Sequence, residues 1–156
     1  MPEPPFEVSQ AHRWFAVELN NRAWDLVEAT ERSPDETDEM IDSAHAACLH
    51  WRAVGVPLNA LRAECLLSTA YALAGLAESA VHHAEKCLRL TGQVGGDQNA
   101  FDLASVHGCA ANAYACAGDA ESAMQHYRRS MEYAAEIVDA NERQLLEHLY
   151  PAPTSN

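Results

Sequence analysis

Two stretches set 43 residues apart carry nearly the same text: AYALAGLAESAVHHA at residues 70–84 and AYACAGDAESAMQHY at residues 113–127. They agree at 10 of 15 positions, namely Ala, Tyr, Ala, Ala, Gly, Ala, Glu, Ser, Ala and His. A chain that repeats a unit of this length builds the same piece twice and buries the apolar face of one copy against the next. Alanine and leucine dominate the chain, glycine and proline number 7 each, and no segment alternates apolar and polar residues over a sustained run. The unit is therefore a helical hairpin, and the fold class is all-α. Within each unit a tyrosine (Tyr71, Tyr114) ends the first helix as a wedge between hairpins. A glycine (Gly75, Gly118) permits the sharp turn, and a small residue (Ala80, Ala123) lets the two helices approach closely.

The punctuation of the chain predicts six to seven helices in one domain over residues 1–156. The first runs over residues 7–32. Ser33-Pro34-Asp35-Glu36 stops it and opens the second with a capping box, Pro34 at the first helical position and Glu36 two residues later. Gly55-Val56-Pro57 ends the second helix near residue 54. A third and a fourth helix cover residues 58–74 and 77–91. TGQVGGDQN, with three glycines in nine residues, reads as the clearest loop. A fifth helix spans 98–117 and a sixth starts at 119, either continuing or breaking near Asp139 into a seventh. Hairpins are thus expected at about 7–54, 58–92 and 98–138, with a helical extension at 139–150. The PEPP start and the PAPTSN end read as frayed.

With Tyr71, Gly75, Ala80 and Cys87 in residues 61–92, and Tyr114, Gly118, Ala123, Tyr127 and Ser130 in residues 104–134, the pattern resembles the tetratricopeptide repeat. Ser68 and Ala111 stand where that motif has its first glycine, Glu64 and His107 where it has tryptophan, and the closing proline is absent. The period of 43 exceeds the usual one of about 34 residues. The resemblance covers about 70 residues and treats 7–54 as a degenerate first hairpin. More narrowly, the chain resembles a group of small bacterial repeat proteins, which implies no activity and carries over no catalytic residue. It implies a right-handed superhelix of stacked hairpins used as a platform for partners.

A formal charge of −13 opposes binding to nucleic acid or an anionic membrane surface, and favours a neutral or basic protein or peptide partner. MPEPPFEVSQ has no basic segment followed by an apolar run, and no stretch approaches a membrane span, so a cytoplasmic protein is expected. Five cysteines without a CxxC pair, all in alanine-rich helical segments, read as free buried thiols in a reducing compartment.

Candidate residues follow from helix geometry. His82 and His83 diverge by about 100° on a helix and cannot chelate one ion together. His83 recurs as His126 and reads as a packing position, His82 as a surface residue paired at i,i+4 with Glu78. Asp38, Asp42 and His45 share one face of the second helix and, with Glu18 or Glu28, would be a metal stripe. Too few ligands converge, and a solvated acidic face is the expectation; no metal or cofactor is assigned. In stacked hairpins the first helix of each pair lines the concave side, placing Arg62, Cys65, Thr69, Leu73, Ser105, His107 and Asn112 there with Trp24 or Trp14 at one end. Trp51, Asn59, Arg62 and Glu64 gather near the 55–57 turn, where Arg62 either grips a carboxylate or peptide backbone or pairs with an acid of the next hairpin. No nucleophile–base signature or phosphate loop is present, since GQVGGD lacks the strand and lysine that a phosphate loop needs.

The expected function is a non-enzymatic module that binds a protein or peptide in this groove, with homodimerisation through an uncapped apolar end. The rival reading is a small-molecule- or metal-dependent enzyme around His45, Trp51 and His107; a third is a passive assembly part.

Overall fold

Helices alternate with short turns throughout residues 3–154, which the computed structural model describes. They are α1 (Val8–Glu28), α2 (Pro34–Val54), α3 (Pro57–Leu73), α4 (Ala77–Val94), α5 (Ala100–Cys116), α6 (Ala120–Ala134) and α7 (Ala140–Leu149). No strand occurs among the described residues. The pairs α1/α2, α3/α4 and α5/α6 form three hairpins, and α3 joins them by packing on α1, α2 and α5. This is the all-α stack of antiparallel hairpins expected from the repeat. The ends expected to fray lie partly outside the described residues.

Local chemistry sets each boundary. α1 stops four residues before the expected end because Arg32 folds back, its Nη1 donating to the carbonyls of Leu26, Val27 and Ala29 at 2.9, 3.2 and 2.7 Å. Those are orphan acceptors of a helix C-terminus, and a cation there opposes the helix dipole. Ser33 and Glu36 then close the predicted capping box on α2. The stretch read as a loop at 91–99 is instead mostly helical: α4 continues to Val94 and a 3₁₀ turn covers Gly95–Asp97. Val94 is buried in the core between hairpins, and Gln98 Nε2 donates to the Thr91 and Gly95 carbonyls at 2.9 and 3.0 Å. Burial and a side-chain cap override the glycines. α5 starts at a capping box of Asn99 with Asp102. Asp139 accepts from the Asn141 and Glu142 amides, so the break into a seventh helix is real.

The repeat is visible atom by atom. Gly75 and Gly118 take φ of 73° and 78°, left-handed values that penalise a β-carbon. In both turns the residue after the glycine donates back to the tyrosine carbonyl at 2.9 Å (Leu76 to Tyr71, Asp119 to Tyr114). Cys87 Sγ donates to the Leu61 carbonyl at 3.5 Å, and Ser130, its counterpart, donates to that of Ala104 at 2.7 Å. Ala80 and Ala123 are fully buried. Two cores result. One, around Leu26, Met40, Leu66 and Leu67, joins the first two hairpins; the other, around Leu61, Val106, Leu146 and Tyr150, joins the last two to α7.

At the C-terminal end α7 folds back onto α5. Large apolar residues are exposed instead on α1, with Trp14 at 59% and Phe15 at 43%.

Candidate functional site

Four helices line a half-open cavity of about 350 Å³. Trp24 and Glu28 come from α1, Arg62 and Cys65 from α3, Asp102 and Ser105 from α5, and Glu142, Leu149 and Tyr150 from the α7 end. The first helices of the three hairpins thus converge on one space, and α7 lines its remaining side. A broader hollow of about 960 Å³ lies over His107, His126 and Arg129, but α5 and α6 of one hairpin alone form it and it opens to solvent.

Arg62 spans two hairpins. Its Nε and Nη2 donate to the two Asp102 oxygens at 2.8 and 3.0 Å, a bidentate pair in which Asp102 is only 5% exposed. The pair raises the arginine pKa further, chiefly through that hydrogen bond. Asp102 also accepts from the Asn99 amide at 3.1 Å, so helix cap, ion pair and cavity wall are one carboxylate. Among the described residues no hydrogen bond engages Arg62 Nη1. Ser105 Oγ, buried in the same wall, has no partner either.

The other expected groove residues are distributed differently. Thr69 is buried, its hydroxyl donating to the Cys65 carbonyl at 2.8 Å and lying 3.3 Å from Tyr150 Oη. Asn112 Nδ2 donates to the Leu149 carbonyl at 3.1 Å. Both serve to dock the chain's own C-terminal segment. Asn59 caps α3 by accepting from the Val56 amide. Trp51 and Trp24 pack on the first core, and Trp24 alone of the two reaches the cavity. Leu73 and Trp14 are exposed. Glu64 faces α2 and α4, so the four residues near the 55–57 turn do not gather at one point.

Glu64 and His107 are repeat equivalents, and each meets the repeated histidine. Glu64, 2% exposed, accepts from His83 Nδ1 at 2.7 Å and from Lys86, with Arg52 at 3.6 Å and Cys48 Sγ at 3.7 Å. Burial raises its pKa, but the hydrogen bonds of His83 and Lys86 prevail and hold the carboxyl down at about 2. His107 instead shares a hydrogen bond with His126, Nδ1 to Nδ1 at 2.9 Å. In both hairpins the histidine stacks on the tyrosine: Tyr71 on His83 at 5.4 Å and Tyr114 on His126 at 5.5 Å. His45 joins the first module through Tyr71 Oη at 2.7 Å. His45 and His107 therefore sit in different hairpins, each in its own aromatic stack.

The histidine pair predicts acid sensitivity. One ring must donate and the other accept, so a second proton sets N–H against N–H. Burial first, then His126 and Arg129, lower the His107 pKa to about 4, against the pull of Glu132. Burial also lowers His126 and His45. A depressed histidine means the unfolded chain binds the proton first, so stability falls as pH drops from about 6.5 toward about 4 and is level above. After discounting for partial exposure of the ring, His107 contributes about 1–2 kcal/mol. Urea midpoints at the two ends of that window measure the loss, and His107→Gln should flatten it.

Tyr150, Glu142 and Asp102 were not among the residues singled out from sequence. One signal pointed to Tyr150: Gly108 stands where the preceding repeat has Cys65, leaving a vacancy that another part of the chain must fill. No family model, curated protein or solved structure matches the chain.

Proposed function

We propose that the chain is a non-enzymatic, tetratricopeptide-like module that binds a protein or peptide segment in the groove formed by α1, α3 and α5. The observation that carries this reading is the half-open pocket that α1, α3, α5 and α7 line together. Its volume of about 350 Å³ lies within the usual range for a binding pocket, about 300–1,000 Å³. Its lining includes Trp24, the buried and unpartnered Ser105 Oγ, and Arg62, which pairs with Asp102 through Nε and Nη2 and leaves Nη1 unused among the described residues. Arg62 is held rigid by Asp102, so its remaining donors are preorganised for a peptide carbonyl or carboxylate. Glu28 and Glu142 at the same rim, with Trp24, suit a lysine or arginine side chain, which agrees with the charge of −13. A binding rather than a catalytic role is supported by the separation of His45 from His107, which leaves the rival enzyme reading without a shared site.

The test is a fluorescence-polarisation screen of short peptides, basic against acidic, with parent and variant proteins. Basic peptides should bind, Trp24→Ala should weaken them at least tenfold, roughly the loss of a central aromatic anchor, and Arg62→Ala should weaken them several-fold. Equal binding of acidic peptides, or an Arg62→Ala protein that binds like the parent, overturns the reading.

A further inference from the structure

Three thiols meet beneath the cavity. Cys65 of α3, Cys87 of α4 and Cys109 of α5 bring their sulfurs within 4.8 Å of one another, all buried and none in a disulfide. Their donors rest on nearby carbonyls, Cys65 on Ser105 at 3.4 Å, Cys87 on Leu61 at 3.5 Å and Cys109 on Val106 at 3.2 Å. The repeat itself does not ask for this. Ser130 fills the position of Cys87, Gly108 that of Cys65 and Leu66 that of Cys109, so at each of the three positions the repeat also accepts a residue other than cysteine. The trio exists only where the second hairpin meets the third.

We infer that Cys65, Cys87 and Cys109 form a site for a soft, three-coordinate ion of the class of trivalent arsenic or antimony hydroxide. Ligand count is the first reason. Among the described residues no fourth histidine, cysteine or carboxylate joins the group, so a tetrahedral zinc site lacks a ligand. Distance is the second. Thiolate bonds of about 2.3 Å hold three sulfurs at most about 4 Å apart, so side-chain rotations of less than an ångström suffice. Charge is the third. Three thiolates around a monovalent copper ion leave two negative charges in an apolar core, and around zinc they leave one; a trivalent centre leaves none, and buried net charge is costly.

The chemistry balances without an oxidant. Three thiols and one trihydroxide give a trithiolate and three waters; three sulfur bonds form, three oxygen bonds break, and each thiol proton leaves with a hydroxide. No oxidation state changes. Cys65 is the thiol that lines the cavity, 3.5 Å from Tyr150 Oη, which gives the ion its route.

The experiment is equilibrium dialysis of the reduced full chain against arsenite, with bound arsenic measured by mass spectrometry and, in parallel, against Cu(I) held by a competing chelator. One arsenic per chain is expected, lost in Cys87→Ser and unchanged in Cys48→Ser and Cys116→Ser. The loss should exceed the roughly 10–100-fold that removing a mere outer-shell partner costs. Cys87→Ser is the informative variant because Ser130 already serves the same carbonyl contact in the next hairpin, and circular dichroism confirms its fold. Arsenic binding that persists in Cys87→Ser, absence of binding, or retention of Cu(I) but not arsenite each overturns the assignment.

Discussion

Glu64→Ala is expected to lower unfolding stability by about 3–5 kcal/mol, the usual cost of leaving one half of a buried ion pair behind. The carboxylate is 2% exposed and is the shared acceptor for His83 and Lys86. Its removal strands the charge of Lys86 and takes the hydrogen bond from His83, whose ring also supports Tyr71. Glu64→Gln keeps the volume and loses only the charge, so it should fall between parent and alanine. Arg22→Ala is the control: its pair with Glu39 is exposed on both sides and should scarcely move the midpoint. The pH sign is opposite in origin to that of a salt-bridged base. A carboxyl held at about 2 stabilises the fold above its unfolded value of about 4.3, and that contribution fades as pH falls through the interval between them. Acid therefore acts in two steps, first on His107 and then on Glu64. Denaturant titrations of parent and Glu64→Gln at pH 7 and pH 3 separate them, because the variant should lack the second step.

The scaffold was legible because hairpin geometry is local. Tyr71, Gly75 and Ala80 sit within ten residues of one another, and their echo at Tyr114, Gly118 and Ala123 shows which positions the turn and the close helix contact require. The Ser33–Glu36 box was legible for the same reason. Long-range partners were not. That Arg62 meets Asp102 across 40 positions follows from how one hairpin is rotated on the next, and periodicity says nothing about that rotation. The sequence left two outcomes open for Arg62, and the structure contains the ion pair while keeping one guanidinium nitrogen at the cavity. The TGQVGGDQN stretch was misread because three glycines outweighed Val94, whose burial could be known only once the second core was assembled. The docking of α7 was missed for the same physical reason: LLEHLY shows an apolar stripe but not which face receives it.

Gly108 and Tyr150 are expected to be strongly coupled, and the coupling tests whether α7 closes the groove. A β-carbon at Gly108 would lie 2.5 Å from two ring atoms of Tyr150 and 2.9 Å from its Cβ, inside any real contact. Gly108→Ala in the parent should thus destabilise by about 1–3 kcal/mol, as overpacking does, even though alanine is the better helix residue. Tyr150→Ala should cost about 3–5 kcal/mol, since the side chain is 1% exposed and fills the vacancy over Gly108, Thr69 and Cys65. In the Tyr150→Ala background the clash is gone, so Gly108→Ala should become neutral or stabilising by up to about 1 kcal/mol. The double-mutant cycle then gives an interaction of at least about 1–2 kcal/mol between residues 42 positions apart. Additive effects would mean that Tyr150 does not occupy this space in solution. Hydrogen exchange adds the functional half of the argument. If α7 is the lid of the cavity, Gly108→Ala should speed exchange of the α7 amides while those of α3 and α4 keep their protection. Loss of protection throughout would show α7 to be part of the core rather than a closure over it.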